Sequence, residues 1–430
     1  MSDIKTPLTV LALSLLVASA SADWMQWRGP TGNGTAPGAK PPLEWSGSKN
    51  VKWKIEIPGR GSSTPVVSGD NIFVTTAIDT KKKAKAGAAG GRDAPDSEYQ
   101  FVVMCIDRTS GETRWQKTTA ELVPHSGHHD THGYASASPI TDGKHVWAHF
   151  GSRGTFCLTI KGDLVWSRSN LGKMKTRGDF GDGSSPVLHG STLIVPWDHE
   201  GDSYITALNA KTGKTIWKTP REEGSSWTTP LVVEHGGKKQ IIQSGPGYAR
   251  SYDLKDGKEV WRADGQTGRP VASPVAADGM VYIGSGFRGA FLGAYKLDGA
   301  KGDITESDSV AWSLDEGTPD VPSPLLSEGR LYFHQKRDGV FSCHDAKTGK
   351  AHYSRERING LRSVYASPVA AGGHVFLTAR DGTTVVIKDS PKLEIVTTNK
   401  LGEPVDATPV PVGNELFIRA EKHLYCIAEK

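Results

Sequence analysis

Ser185-Pro186-Val187-Leu188, Leu193-Ile194-Val195, Tyr204-Ile205-Thr206-Ala207-Leu208, and then Asn209-Ala210-Lys211-Thr212-Gly213-Lys214 running into Ile216-Trp217 form one unit of this chain. Three short apolar runs and a fourth ending in Trp, each separated by a polar turn, describe four strands of an antiparallel meander. Pro186 fits the start of a strand, where its missing N–H costs least. Gly213 supplies the positive φ that the tight polar turn requires.

The unit repeats in both directions from there. A Ser/Thr-Pro dipeptide opens each copy: Thr64-Pro65, Ser138-Pro139, Ser185-Pro186, Thr229-Pro230, Ser273-Pro274, Ser323-Pro324, Ser367-Pro368 and Thr408-Pro409, mostly 41 to 50 residues apart. A period in the forties with four strands per unit predicts a β-propeller. The polar turn and ring recur as Asp107 to Gly111 with Trp115, Lys161-Gly162 with Trp166, Asp253 to Gly257 with Trp261, and Asp345 to Gly349 with Tyr353. A degenerate copy ends at Trp312. Each ring can bury about 150–250 Å² between neighbouring sheets, so Trp53, Trp115, Trp166, Trp217, Trp261, Trp312 and Tyr353 are expected to be docking residues of the framework.

The last copy, Thr408 to Ile427, has only three strands, and residues 51–57 (Val51-Lys52-Trp53-Lys54-Ile55-Glu56-Ile57) supply a fourth with its own Trp. Pairing the two would remove both exposed edges. The expected architecture is all-β: one eight-bladed propeller of four-stranded antiparallel blades over residues 51–430, closed by both ends of the chain, after an extended segment 23–50.

Residues 1–22 read as an export signal, with Lys5, an apolar run from Leu8 to Val17, and Ala20-Ser21-Ala22 before Asp23. The apolar run is shorter than the roughly 18–20 residues of a membrane span. A periplasmic or extracellular monomer without a transmembrane segment is expected. The net charge of +4 over 430 residues, with Lys81-Lys82-Lys83 and Lys85 as the one basic block, excludes an electrostatic footprint for nucleic acid. Cys105, Cys157, Cys343 and Cys426 fall at one equivalent position in four different copies, too far apart for disulfides, and read as four buried thiols.

The Ala/Cys-x-Asp-x-x-Thr-Gly-x-x-x-Trp pattern resembles the pyrroloquinoline quinone (PQQ) repeat of quinoprotein dehydrogenases and of non-catalytic eight-bladed relatives. Trp24-Met25-Gln26-Trp27-Arg28-Gly29-Pro30 with Gly32-Asn33-Gly34 is similar to the start of exported bacterial PQQ-like propellers. For the dehydrogenases the resemblance implies PQQ, a Ca²⁺ beside it and an Asp as general base. This chain has no adjacent Cys-Cys pair and no Cys-x-x-Cys-His heme site. For the outer-membrane assembly lipoproteins, which also resemble it, the resemblance implies binding of partner proteins without chemistry; the lipobox Cys of that group is absent.

The face formed by the loops between second and third strands and by the blade-to-blade crossings carries every elaboration, and function is expected there. Arg153, Arg288, Arg337 and Arg380 occupy similar loop positions in four blades and predict an anion-attracting funnel. Asp182, Asp320 and Asp406 precede the innermost strand in three blades, and Trp227 does so in another, so all four are candidates to face the channel. His125, His128, His129 and His132 crowd one crossing and are candidate metal ligands. Asp198, Glu200 and Asp202 are candidate Ca²⁺ ligands in a loop of blade three. A Lys/Gly/Ala-rich insert from Asp79 to Glu98 is expected to be a loop. These features favour a binding or interaction scaffold for a protein or an anionic small molecule, with a PQQ-dependent alcohol or sugar oxidoreductase as the alternative.

Overall fold

The computed structural model describes residues 23–84 and 93–429. The expected export signal and residues 85–92 of the blade-one insert lie outside the described residues. Eight sheets form the ring, each built on four antiparallel strands, here called A to D from the channel outward, and in all but the last these four follow one another along the chain. In blade three these are Val187–His189, Thr192–Trp197, Tyr204–Asn209 and Thr215–Pro220. Blade eight takes Val410–Val412, Glu415–Arg419 and His423–Ile427 from the C-terminal end and Val51–Glu56 from the other end, with Trp53 opposite Cys426 and Ile55 opposite Leu424. The ring closes as the three-stranded last copy requires.

Strands B and C are buried on both faces because each sheet lies between two others. Leu193, Ile194 and Val195 are all fully buried, whereas strand D of the same blade alternates between exposed and half-buried. Each core cluster therefore draws on neighbouring blades; Ile140, Trp147 and Cys157 of blade two pack with Leu193, Val195 and Trp197 of blade three.

Trp residues of strand D join one blade to the next. The indole N–H groups of Trp53, Trp115, Trp166, Trp217 and Trp312 donate to the carbonyls of Arg108, Ile160, Ala210, Leu254 and Ala346, each in the following blade's turn, at 2.8–3.1 Å. Each ring also covers that turn's glycine, namely Gly111, Gly162, Gly213, Gly257 and Gly349. All five have φ between +69° and +91°, and a Cβ on any of them would fall within 2.9 Å of indole atoms. Two expected dockers depart from the pattern. Trp261 donates to Oε1 of Gln240 in its own blade, because the turn of blade five is replaced by an insertion whose Gly302–Asp303 strand pairs parallel with blade four. Tyr353 packs on Phe341 of its own sheet. Across from all seven rings sits a small residue or thiol: Cys105–Trp115, Cys157–Trp166, Ala207–Trp217, Ser251–Trp261, Ala294–Trp312, Cys343–Tyr353 and Cys426–Trp53. All four cysteines are free and buried.

The Ser/Thr-Pro dipeptides close a second ring around the channel. The backbone N–H of Thr64 donates to Oγ of Ser138, Ser138 to Ser185, Ser185 to Thr229, Thr229 to Ser273, Ser273 to Ser323, Ser323 to Ser367, Ser367 to Thr408 and Thr408 back to Thr64, at 2.9–3.3 Å. Each hydroxyl satisfies a buried donor of the preceding blade, and the Pro that follows adds no further N–H to satisfy.

Residues 24–36 of the extended segment form a plug, and residues 45–46 run on along the outer strand of blade seven. The plug residues bond along the inner strands at the A–B-turn end of the channel: Val67 N–H to Trp24 carbonyl, Thr141 to Met25, Leu326 to Asn33, and Ala370 to Gly34. The Asn33 side chain makes two bonds to the Ala276 backbone. Trp24 is fully buried. The Arg28 guanidinium, buried without an acid, donates to the carbonyls of Pro324, Pro368 and Asn33, and burial lowers its pKa to about 9. The blade-one insert also departs from expectation: its two ends extend the hairpin, with Asn71–Lys83 paired to Ser97–Asp107 and Asp79 opposite Tyr99.

Candidate site in the central cup

With the plug at one end, the channel opens on the opposite face as a cup of about 440 Å³, with Trp27 of the plug among its lining residues. Its wall follows a rule that can be read along the chain. Ser62, Ser136, Gly183, Trp227, Val271, Val321, Tyr365 and Asp406 all line it, and each stands two residues before the Ser/Thr of its blade. Extended backbone repeats its facing every two residues, so this position and the Ser/Thr look into the channel together. Blades one to three contribute small residues and the others bulky or charged ones, so the cup is lopsided. Blades four and eight oppose each other in a ring of eight, which sets Trp227 across from Asp406.

Of the arginines expected to form a funnel, only Arg337 lines this cup. Three of the four are tied to the acids that were candidates in their own right. Arg153 is buried against Asp182 at 2.6 Å and lies over the Tyr134 ring. Arg337 Nε stands 3.8 Å from Asp320, and its Nη1 donates to the Tyr365 hydroxyl at 2.8 Å. Arg380 Nε stands 3.4 Å from Asp406 and shares the Tyr365 ring with Arg337. The two acids that line the cup are thus paired with guanidiniums. Burial still raises both carboxyls against the pull of those arginines, Asp320 above its usual range and Asp406 to about 6. Arg288 is exposed beside Phe287, outside the cup.

The four histidines do not converge on one point. His125 Nε2 is bonded to the Met174 carbonyl, His128 Nδ1 to the His129 carbonyl, His129 Nδ1 to the Thr131 hydroxyl, and His132 Nδ1 to the Gly133 carbonyl and Ser136 hydroxyl. Burial lowers the pKa of His132 to about 4, which keeps it neutral. His129 and His132 do reach the cup wall. Asp198, Glu200 and Asp202 diverge: Asp198 is buried in a two-point ion pair with Arg221, Glu200 accepts from the N–H and hydroxyl of Ser225, and Asp202 is exposed. Among the described residues no three His, Cys, Asp or Glu side chains are grouped to hold a metal.

A family model described as outer membrane protein assembly factor BamB matches residues 45–196 and 201–430. The chain belongs to that family. The match starts at Trp45, so the buried Trp24 and Arg28 of the plug lie outside it, and its gap falls on Trp197 to Glu200. Among solved structures, BamB from Moraxella catarrhalis is similar at 13% identity and a TM-score of 0.53, over 82% of this chain and 98% of that one. The computationally designed Ika8 protein is similar at 12% identity and 0.56, over 87% and 98%. A europium-containing methanol dehydrogenase is similar at 12% identity and 0.50, over 95% and 98%. At these identities the likeness is one of fold. No curated protein matches the chain by sequence. No described helix is long and apolar enough to cross a membrane.

The quinoprotein cofactor would need an ion-ligating set beside a free carboxylate base. Asp320 and Asp406 face Arg337 and Arg380 instead, and no metal-holding group of three accompanies them among the described residues. The residues present do not fit a PQQ–Ca²⁺ centre.

Sequence reasoning missed Arg269. It comes from the crossing between blades four and five, lines the cup, and is flanked by Phe180 and Phe287 at 5.7 and 5.1 Å from their ring centres. Its counterpart is Arg60 in the crossing from blade eight to blade one, four residues before Thr64 as Arg269 is before Ser273, but Arg60 does not line the cup. The signal was local: Gly268-Arg269-Pro270 holds a charged residue in a short connection with little room to turn away.

Proposed function

We propose that the protein is an exported, non-catalytic binding module that receives part of a partner protein, or an anionic small molecule, in the cup. The observation that carries this reading is the pairing of both cup carboxylates with arginines in a cavity with aromatic walls and a plugged base. Such a site offers shape, ring faces and paired charges, which suit recognition; a general base needs a free carboxylate at the reacting atom. Its volume is within the roughly 300–1,000 Å³ of ordinary ligand sites. The export signal of residues 1–22 supports a periplasmic or extracellular location.

The test is a calorimetric and absorbance titration of the mature protein with PQQ, with and without Ca²⁺. No saturable Ca²⁺-dependent binding is expected up to high micromolar PQQ. Stoichiometric binding that requires Ca²⁺ would overturn this reading in favour of a quinoprotein oxidoreductase, with Asp406, whose carboxyl is raised by burial to about 6, as the residue to examine.

A further inference from the structure

Beside the cup lies a second cavity of about 360 Å³, lined by Arg177, Arg269 and Arg288 together with Glu200, Ser225 and Phe287. The three arginines come from separate segments: the crossing between blades two and three, the crossing between blades four and five, and the B–C loop of blade five. None of the three guanidiniums has an ion pair or a hydrogen bond within the described residues. This sets them apart from Arg153, Arg221, Arg337 and Arg380, each of which has a carboxylate. Glu200, the one acid in the cavity, has an oxygen occupied by Ser225. Like charges are thus gathered where, among the lining residues, only Glu200 offsets them, leaving an excess of two positive charges.

Two of the three arginines are also held in a conformation that favours glycine. Arg269 has φ +57° and Arg288 φ +53°. A bulky residue in the left-handed region is strained, and such strain collects where a side chain must be aimed at a ligand. Their aim is set by aromatic faces: Arg269 lies between Phe180 and Phe287, and Arg288 lies over Phe287 at 5.4 Å. Partial burial, and after it the fields of Arg177 and Arg288, lower the proton affinity of Arg269, with Glu200 opposing. An anion entering the cavity would relieve that repulsion.

We propose that Arg177, Arg269 and Arg288 form a subsite for a divalent oxyanion, a sulfate or phosphate group carried by the partner or ligand. Guanidinium forks match the tetrahedral oxygens of such a group with paired N–H donors. Arg269 and Phe287 belong to both cavities, so a ligand that binds here continues into the cup. The subsite is independent of whether the cup itself accepts PQQ.

The test uses the mature full chain in low-ionic-strength buffer, with sodium sulfate, sodium phosphate, sodium acetate and sodium chloride at matched ionic strength as probes. Melting temperature and isothermal calorimetry are the readouts. Sulfate and phosphate should raise the melting temperature saturably beyond chloride and acetate, and a preference between the two distinguishes the ester class. Arg269→Gly and Arg288→Gly should melt no lower than wild type without anion, because glycine accepts the left-handed conformation, while the apparent Kd for the preferred anion weakens at least tenfold. Lys161→Gln, which removes an exposed positive charge in a C–D turn on the opposite face of the propeller, should keep the wild-type response. The inference fails if chloride or acetate does as well as sulfate and phosphate, if both glycine variants retain the response, or if Lys161→Gln loses as much as they do.

Discussion

Replacing Gly213 by Ala tests whether the strand-D rings hold the blades together. Gly213 has φ +69°, and a Cβ there would stand 2.7 Å from Cδ2 and Cε3 of Trp166 in the neighbouring blade. Gly190 in the same blade is the matched control, since its φ is +57° but a Cβ there meets nothing within 4 Å. The left-handed conformation alone costs Ala about 1–2 kcal/mol. Displacing a packed indole adds about 1–3 kcal/mol and strains its 2.8 Å bond to the Ala210 carbonyl. Gly190→Ala should therefore cost about 1–2 kcal/mol and Gly213→Ala about 2–5 kcal/mol. At about 2.1 cal/mol/K per residue for a domain of this length, the larger value corresponds to a melting shift of about 3–6 °C. The assay is urea unfolding of both variants, repeated in a Trp166→Ala background. There the steric part has no ring to act on, and Gly213→Ala should fall to the cost of Gly190→Ala. Equal costs in the wild-type background, or an unchanged cost without Trp166, would refute the docking argument.

Ser185→Ala leaves the Ser138 N–H without its acceptor and should cost about 1–3 kcal/mol in urea unfolding, while Ser185→Thr, as found at three positions of the same ring, should be close to neutral. Trp24→Ala removes a fully buried indole from the plug and should cost about 3–5 kcal/mol by the same assay. Asp406 has a folded pKa of about 6, above the unfolded value of about 3.9, so its ionised form is the disfavoured one in the fold. Its contribution is therefore most unfavourable above pH 6 and disappears as pH falls toward 4. The wild type should gain about 1–3 kcal/mol relative to Asp406→Asn between pH 7 and pH 4.5, measured as the difference in unfolding free energy at the two pH values.

How much of this was legible depended on whether the determining contact repeats. The eight Ser/Thr-Pro copies, the ring-closing strand at Val51 to Ile57 and five of the seven docking rings could be read because one packing solution recurs at a fixed period. Trp261 and Tyr353 depart from it because the short turn ending in Gly that each should meet is replaced, in blade five by an insertion and in blade seven by Asp389-Ser390-Pro391-Lys392. The plug carries no periodic pattern: Arg28 meets the Pro324 and Pro368 carbonyls from 296 and 340 residues away, and nothing near it in sequence announces that burial. Candidate arginines and candidate aspartates were each recognised from their position in the repeat, yet their pairing was hidden. Arg337 and Arg380 are followed directly by Asp338 and Asp381, but they turn to Asp320 and Asp406, which reach them from blade-to-blade crossings. The cup wall was legible in principle, since the residue two before each Ser/Thr shares its facing; of the eight, Trp227 and Asp406 were the two singled out from sequence.

The measurement that tests the account most directly is hydrogen–deuterium exchange of the mature protein, because a one-ended cup requires residues 24–36 to be bound as firmly as the inner strands they cross. The amides of Gly34, Ala36, Leu326 and Ala370 bond to one another's segments across that junction or within the plug itself. They should exchange in the same slow class as Ile194 and Val195 of blade three. Exchange of residues 24–36 within seconds, with blade three still protected, would mean a free N-terminal segment and a channel open at both ends, and the cup would not exist as described.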